Sequence, residues 1–168
     1  MANNIYLVGF MGTGKTEVAR LLAKRLNRTF VDMDELIIAR QKMPIRDIFQ
    51  KKGEPYFRKL EKDLVSELVK KDNLIVACGG GTFVDPENIE NLKKSGIVIC
   101  LTSTPETILK RTSRFRHRPL LNGNDPRGRI EELLKKRMPF YAHAHYTIDG
   151  DKITVEETIE EILKIFEK

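Results

Sequence analysis

"GFMGTGKTEVAR", residues Gly9 to Arg20, stands directly after the apolar run "IYLV" and places three glycines, a lysine and two threonines within eight positions. The spacing Gly9, Gly14, Lys15, Thr16 satisfies G-x-x-x-x-G-K-[ST], a loop that binds nucleoside triphosphates when it joins a strand to a helix. Glycines let the backbone N–H groups of Gly12, Thr13 and Gly14 point at phosphate oxygens, and the helix N-terminus adds partial positive charge. Lys15 can then reach the β- and γ-phosphates, the Thr16 hydroxyl can ligate Mg²⁺, and Glu17 opens the helix beside them. Gly12, Thr13, Gly14, Lys15, Thr16 and Glu17 are therefore the expected ATP-binding residues, with Lys15 catalytic and ATP and Mg²⁺ the expected co-substrate and cofactor.

Outward from this loop, short apolar runs alternate with helical patterns: "NIYLV", "RTFVD", "NLIVACGGG", "GIVICLT" and "HYTID". Runs that are continuously apolar and rich in Ile and Val belong to strands buried on both faces, which makes this an α/β chain with a parallel sheet between two helical layers. Helices are expected over 15–26, about 54–71, about 86–94, 105–111, about 126–141 and 155–166, the last with Val155, Ile159, Ile162, Ile165 and Phe166 on one stripe. Two regions break the rhythm. Residues 33–61 follow the second strand, and "SRFRHRPLLNGNDPRGR" at 113–129 reads as a surface loop.

A chain of 168 residues suits one domain, 1–168. No stretch is long and apolar enough to span a bilayer and no signal segment precedes the first strand, so a cytoplasmic protein is expected. Cys78 and Cys100 each end an apolar run, as small buried hydrophobes do. The net charge of +6 is unevenly spread: residues 110–137 hold ten Lys/Arg against three Asp/Glu, and the rest twenty against twenty-one. So compact a basic window suits one small polyanion, a nucleotide, better than a nucleic-acid track, and its coincidence with the loop gives that loop the reading of a lid, about 112–126.

A phosphate loop needs a second Mg²⁺ anchor, usually an aspartate at the end of a neighbouring strand. "FVDMD", Phe30 to Asp34, supplies two. On an extended backbone Asp32 and Asp34 would face one side, one orienting the metal's water shell and the other receiving a hydroxyl of the second substrate. The alternative is that one of them caps a helix beginning at Glu35.

Three further stretches, "GEPYFRKLE" (53–61), "CGGGT" (78–82) and "RPLL" (118–121) with "KKRMPFY" (135–141), follow "GFMGTGKT" and "DMD" in an order that resembles the shikimate kinase family. The resemblance runs from Ile5 to about Tyr141. It implies a nucleoside-monophosphate-kinase-like P-loop fold with a five-stranded parallel sheet in the order 2-3-1-4-5, a substrate-binding insertion at about 33–61 and an arginine-bearing lid. It implies transfer of the γ-phosphoryl group of ATP to the 3-hydroxyl of shikimate, by a monomer that meets small molecules and neither nucleic acid nor membrane. Shikimate carries one carboxylate and three hydroxyls, so its site needs guanidinium forks and acceptors. Arg58, in Phe57-Arg58-x-x-Glu61, and Arg137, in Arg137-x-Pro139-x-Tyr141, match the carboxylate clamps. Asp34 matches the acceptor of ring hydroxyls, and Gly79, Gly80 and Gly81 bring bare backbone to the substrate. Arg118 matches the lid arginine that closes on the phosphates, and Arg111 the one beside adenine. Thr16 with Asp32, the latter through water, would hold the metal.

The chain departs from the family at Glu17, where a small hydroxyl residue is usual, and at His143 and His145, whose i,i+2 spacing without a third ligand makes a poor metal site. The adenine loop, near 149–155, carries no residue-level match. Other readings are a gluconate or related small-acid kinase, a nucleotide-binding module without phosphoryl transfer, and a nucleic-acid-dependent ATPase. The joint presence of Lys15, Asp32, Asp34, Arg58, Arg118 and Arg137 favours the shikimate reading over all three.

Overall fold

The computed structural model describes residues 3–113 and 124–166. Its elements run β1 (Asn4–Val8), α1 (Lys15–Leu26), β2 (Thr29–Asp32), α2 (Met33–Gln41), α3 (Ile45–Lys52), α4 (Glu54–Leu68), β3 (Leu74–Ala77), a short 3₁₀ turn (Thr82–Val84), α5 (Pro86–Ser95), β4 (Gly96–Thr102), α6 (Pro105–Thr112), α7 (Pro126–Tyr141), β5 (Tyr146–Asp149) and α8 (Val155–Phe166). All strand pairs are parallel, in the order β2-β3-β1-β4-β5. This is the order that the family resemblance implies.

The period of two along each strand builds two apolar cores, one on each face of the sheet. Ile5, Leu7, Ile75, Ala77, Ile99 and Leu101 point to one face, where Val18, Leu22, Ile159 and Ile162 of α1 and α8 cover them. Tyr6, Val8, Val76, Cys78, Val98 and Cys100 point to the other, beneath α2 to α7. Each fully buried Leu or Ile in these layers contributes about 1.5–3 kcal/mol relative to an exposed one. Both cysteines are free and buried, as expected. Burial pushes the Cys78 thiol up and that of Cys100 to about 11, so neither is a thiolate near neutral pH. No described helix is long and apolar enough to cross a membrane.

The insertion after β2 holds more helix than its sequence pattern announces. Residues 33–52 form two short helices, α2 and α3, broken at Lys42 in the left-handed region and at Pro44, and Gly53 with φ +86 then turns the chain into α4. The apolar residues of α2 serve two surfaces: Met33 and Ile37 are buried in the core, while Ile38 is exposed along a cavity. No clean polar face is left to reveal the period. Because α2 begins at Met33, Asp34 is helical and the extended spacing expected for Asp32 and Asp34 does not occur. Positions 114–123, including Arg114, Arg116, His117 and Arg118, lie outside the described residues.

Candidate active site

The phosphate loop leaves β1 at Gly9, whose φ of +136 favours glycine and where a Cβ would collide with the Leu101 carbonyl oxygen. Gly12 and Gly14 also have positive φ, at +79 and +90. Thr13 Oγ1 donates to the Phe10 carbonyl at 2.8 Å, fixing the turn from inside. Lys15 is buried, and its Nζ donates to the carbonyls of Gly9 and Phe10 at 2.7 and 2.8 Å. Thr16 Oγ1 donates to Asp32 Oδ2 at 2.6 Å, while Asp32 Oδ1 accepts from the Glu35 N–H at 2.9 Å and caps α2. Asp32 thus takes the capping role weighed for the aspartate pair, at a helix that begins at Met33, while its other oxygen meets Thr16. Glu17 is exposed in the first turn of α1. Arg111, in the last turn of α6, donates from Nη1 to the Gly12 carbonyl at 3.1 Å. Gly150 comes against the same loop, since a Cβ there would stand 3.8 Å from the Thr13 carbonyl oxygen.

Across the cavity, Arg58 of α4 donates from Nη1 to Glu61 Oε1 at 2.5 Å and from Nη2 to Glu54 Oε2 at 3.2 Å. Burial works against its charge, but the Glu61 and Glu54 carboxylates outweigh burial and hold its pKa above the ordinary arginine value. Glu61 is only 1% exposed, and its other oxygen accepts from Thr82 Oγ1 at 2.6 Å. Arg137 of α7 is 5% exposed, lies over the Phe10 ring at 5.3 Å, and keeps a buried Nη1 with no hydrogen-bond partner. A buried donor left so is expensive unless something else completes it.

Crowding by neighbouring groups surrounds all three glycines after β3. A Cβ on Gly79 would stand 2.6 Å from Glu61 Oε2 and 2.9 Å from Asp34 Oδ1, and one on Gly81 would overlap the Arg58 guanidinium. On Gly80 it would approach the Met11 N–H nitrogen at 3.3 Å and Arg137 Nη1 at 3.4 Å. A cavity of about 650 Å³ takes in Thr16, Asp32, Asp34, Arg58, Gly81 and Arg137. A second, of about 630 Å³, includes Gly12, Lys15, Glu17 and Arg111 and shares Thr16, Asp32, Asp34 and Gly80 with the first. Of the sequence-derived residues among those described, all but the buried Thr13 and Gly79 line these two overlapping cavities: phosphate loop at one end, two arginines at the other, Asp34 between.

Not all of the basic window faces that groove. Arg127 pairs with Glu106 and Glu131 at 3.2 and 3.1 Å, Arg129 with Glu132 at 3.4 Å, and Lys136 with Glu132 at 3.1 Å. These are surface pairs, so the expectation that the whole excess meets one polyanion is too broad; Arg111 and Arg137 are its described members in the groove. His145 is structural: its Nδ1 accepts from the Val98 N–H at 2.9 Å and its backbone N–H donates to the Val98 carbonyl, extending the β4–β5 ladder. Among the described residues no group of three His, Cys, Asp or Glu could hold a metal. Sequence reasoning left Glu61, Thr82 and Tyr141 out of the site. The i,i+3 spacing of Arg58 and Glu61 was a usable signal, whereas contacts across 61 to 82 and 80 to 141 had none.

Sheet order and glycine loop place the molecule among the P-loop α/β proteins. The family model for shikimate kinase matches residues 11–167. A shikimate kinase of Caldanaerobacter subterraneus subsp. tengcongensis is 46% identical over 98% of this chain and 96% of its own length. The structure of shikimate kinase from Acinetobacter baumannii in complex with shikimate superposes with a TM-score of 0.94 at 41% identity, covering 99% of this chain and 93% of that one. A gluconokinase from Sinorhizobium meliloti, at 14% identity and a TM-score of 0.60 over 95% of this chain and 89% of its own, shares the fold alone. The chain belongs to the shikimate kinase family, enzymes that phosphorylate shikimate with ATP.

Proposed function

We propose that this chain transfers the γ-phosphoryl group of ATP to the 3-hydroxyl of shikimate, on the route to aromatic amino acids, working as a cytoplasmic monomer. The supporting observation is the shared groove, in which Asp34 stands between a phosphate loop and a two-arginine acid site. Arg58 and Arg137 hold the carboxylate, and the unpartnered Nη1 of Arg137 finds its acceptor there. Gly79, Gly80 and Gly81 admit the ring to bare backbone. Asp34 accepts the attacking hydroxyl and aims it, a role that a loose transition state makes more important than deprotonation. Gly12, Thr13 and Gly14 cradle the phosphates, Lys15 leaves its carbonyl partners to neutralise growing charge, and Arg111 and Glu17 flank the nucleotide. Arg118 contributes the arginine finger.

Thr16 Oγ1 and Asp32 Oδ2 form a pair of hard oxygen donors suited to Mg²⁺, Asp32 acting through water. When bound, the ion supplies charge neutralisation on the β- and γ-phosphates. Among the described residues the exposed large apolar side chains, Ile38, Met138, Tyr146 and Phe166, lie on four different elements, which supports a monomer. The test is ADP release with shikimate, gluconate, a nucleoside monophosphate, RNA, or no acceptor. Shikimate alone should raise release above background; comparable kcat/KM with gluconate would remove the acid assignment.

A further inference from the structure

The peptide joining Gly80 and Gly81 has no side chain on either side to hold its plane, so nothing local prevents it from turning over. In this fold it is pinned from behind. Tyr141, the last residue of α7 and only 3% exposed, donates from its phenol to the Gly80 carbonyl at 2.5 Å. No cis peptide occurs among the described residues, and in a trans peptide the N–H points opposite to the preceding carbonyl. A Gly80 carbonyl turned to Tyr141 therefore sends the Gly81 N–H to the other side, where Gly80 and Gly81 line the cavity and Tyr141 does not.

The rest of the turn is anchored independently. Thr82 Oγ1 donates to Glu61, Asn88 Nδ2 donates to the Thr82 carbonyl at 3.0 Å, and the Thr82 N–H donates to the Gly79 carbonyl at 3.1 Å. These bonds fix both flanks and leave the central peptide to Tyr141. Arg137 precedes Tyr141 by one helical turn, on the same face of α7. Burial pushes the phenol's pKa up to about 12, so it remains a donor at any working pH.

We propose that Tyr141 is a positioning residue for the acid substrate: its hydrogen bond to Gly80 aims the Gly81 amide into the cavity, in fixed register with the Arg137 guanidinium carried by the same helix. This rests on the acid site described under the proposed function. One helix then delivers a charged fork directly and an oriented backbone donor through the phenol.

Tyr141→Phe keeps the ring in the core and removes only the donor. It should raise the KM for shikimate about tenfold, the loss expected when a buried carbonyl is stranded and its peptide freed, with the KM for ATP and kcat within about twofold. Equal rises in both KM values, a change in kcat alone, or no change would each overturn the proposal. Arg137→Ala, measured in parallel, separates the two layers of inference. If it leaves the shikimate KM unchanged, the acid site itself is misplaced; if it raises that KM while Tyr141→Phe does not, only the role of Tyr141 is lost. Should Tyr141→Phe not fold, the amide resonance of Gly81 in the unaltered protein decides: a downfield proton shift on titrating shikimate supports the proposal, and an unmoved resonance overturns it.

Discussion

Gly9 to Gly14 and Gly79 to Gly81 leave the ends of neighbouring strands, β1 and β3, and face the same groove, yet they use glycine for opposite reasons. In the first turn the backbone demands it: Gly9, Gly12 and Gly14 all have positive φ. In the second no residue does, and the demand comes from outside, because the space a Cβ would take is held by Glu61, Asp34, Arg137 and Arg58. One glycine set shapes a cradle from main chain; the other makes room for side chains that have converged from α2, α4 and α7. The fold can be expected to suffer from a change in the first, and substrate recognition from a change in the second.

The largest effect should come from the side chain in the cradle. Lys15→Met is expected to lower kcat by at least about a thousandfold, by removing charge that matters most in the transition state, while circular dichroism shows a folded protein. Turnover within a few-fold of the original would mean that the cradle does not serve the reaction. The contrast itself is tested by Gly9→Ala against Gly81→Ala. At Gly9 the alanine meets a backbone carbonyl and an unfavourable φ, and should cost about 3 kcal/mol of stability or more in urea unfolding. At Gly81 it meets the far end of a flexible arginine, which can swing away; stability should change by less than about 1 kcal/mol while the shikimate KM rises at least about tenfold. Equal losses of stability in the two variants would erase the distinction.

Arg58→Lys asks whether the second turn serves a fork or merely a charge. An ammonium cannot make paired hydrogen bonds to a carboxylate, so the shikimate KM should rise about tenfold with little change in the KM for ATP. An unaltered KM would take Arg58 out of the acid site. The smallest effect should come from neither turn. His145 accepts from Val98 in its neutral form, and burial first, then Lys93, lower its pKa below the ordinary value of about 6.5. As pH falls, the unfolded chain takes the proton first, so this contribution is full above about pH 6.5 and is lost as pH drops through the folded value. The ring is largely exposed, which keeps the effect small. Between pH 7.5 and 5.5 the protein should lose roughly a degree or two more in Tm than His145→Asn, which keeps an acceptor that does not titrate. Identical pH profiles would refute the assignment.

Much of the sheet could be read from the chain because its three inner strands, β1, β3 and β4, are buried on both faces and so announce themselves as unbroken apolar runs. The first turn could be read because its requirement is local, eight consecutive residues that fix their own conformation. The second could be placed but not explained. That Gly79 answers to Glu61, Gly80 to Arg137 and Gly81 to Arg58 depends on how α4 and α7 dock, and no spacing within "CGGGT" encodes it. The helices α2 and α3 escaped for a related reason, since residues such as Ile38 face a cavity instead of the core. Asp32 and Asp34 were chosen for a geometry they do not have; a helix that begins one residue after Asp32 still brings both to the groove.

The position of β1 within the sheet has a consequence for how such a chain comes into being. Ile5 is matched with Ile75 on one side and Ile97 on the other, so the strand that carries the phosphate loop is synthesised long before either neighbour exists. Its other cover, α8, lies further along the chain still. Such distant pairings make assembly slow relative to a helical bundle of the same length. The nucleotide cradle is thus synthesised ahead of the strands and the helix that complete its surroundings, and its final shape waits on segments that leave the ribosome after it.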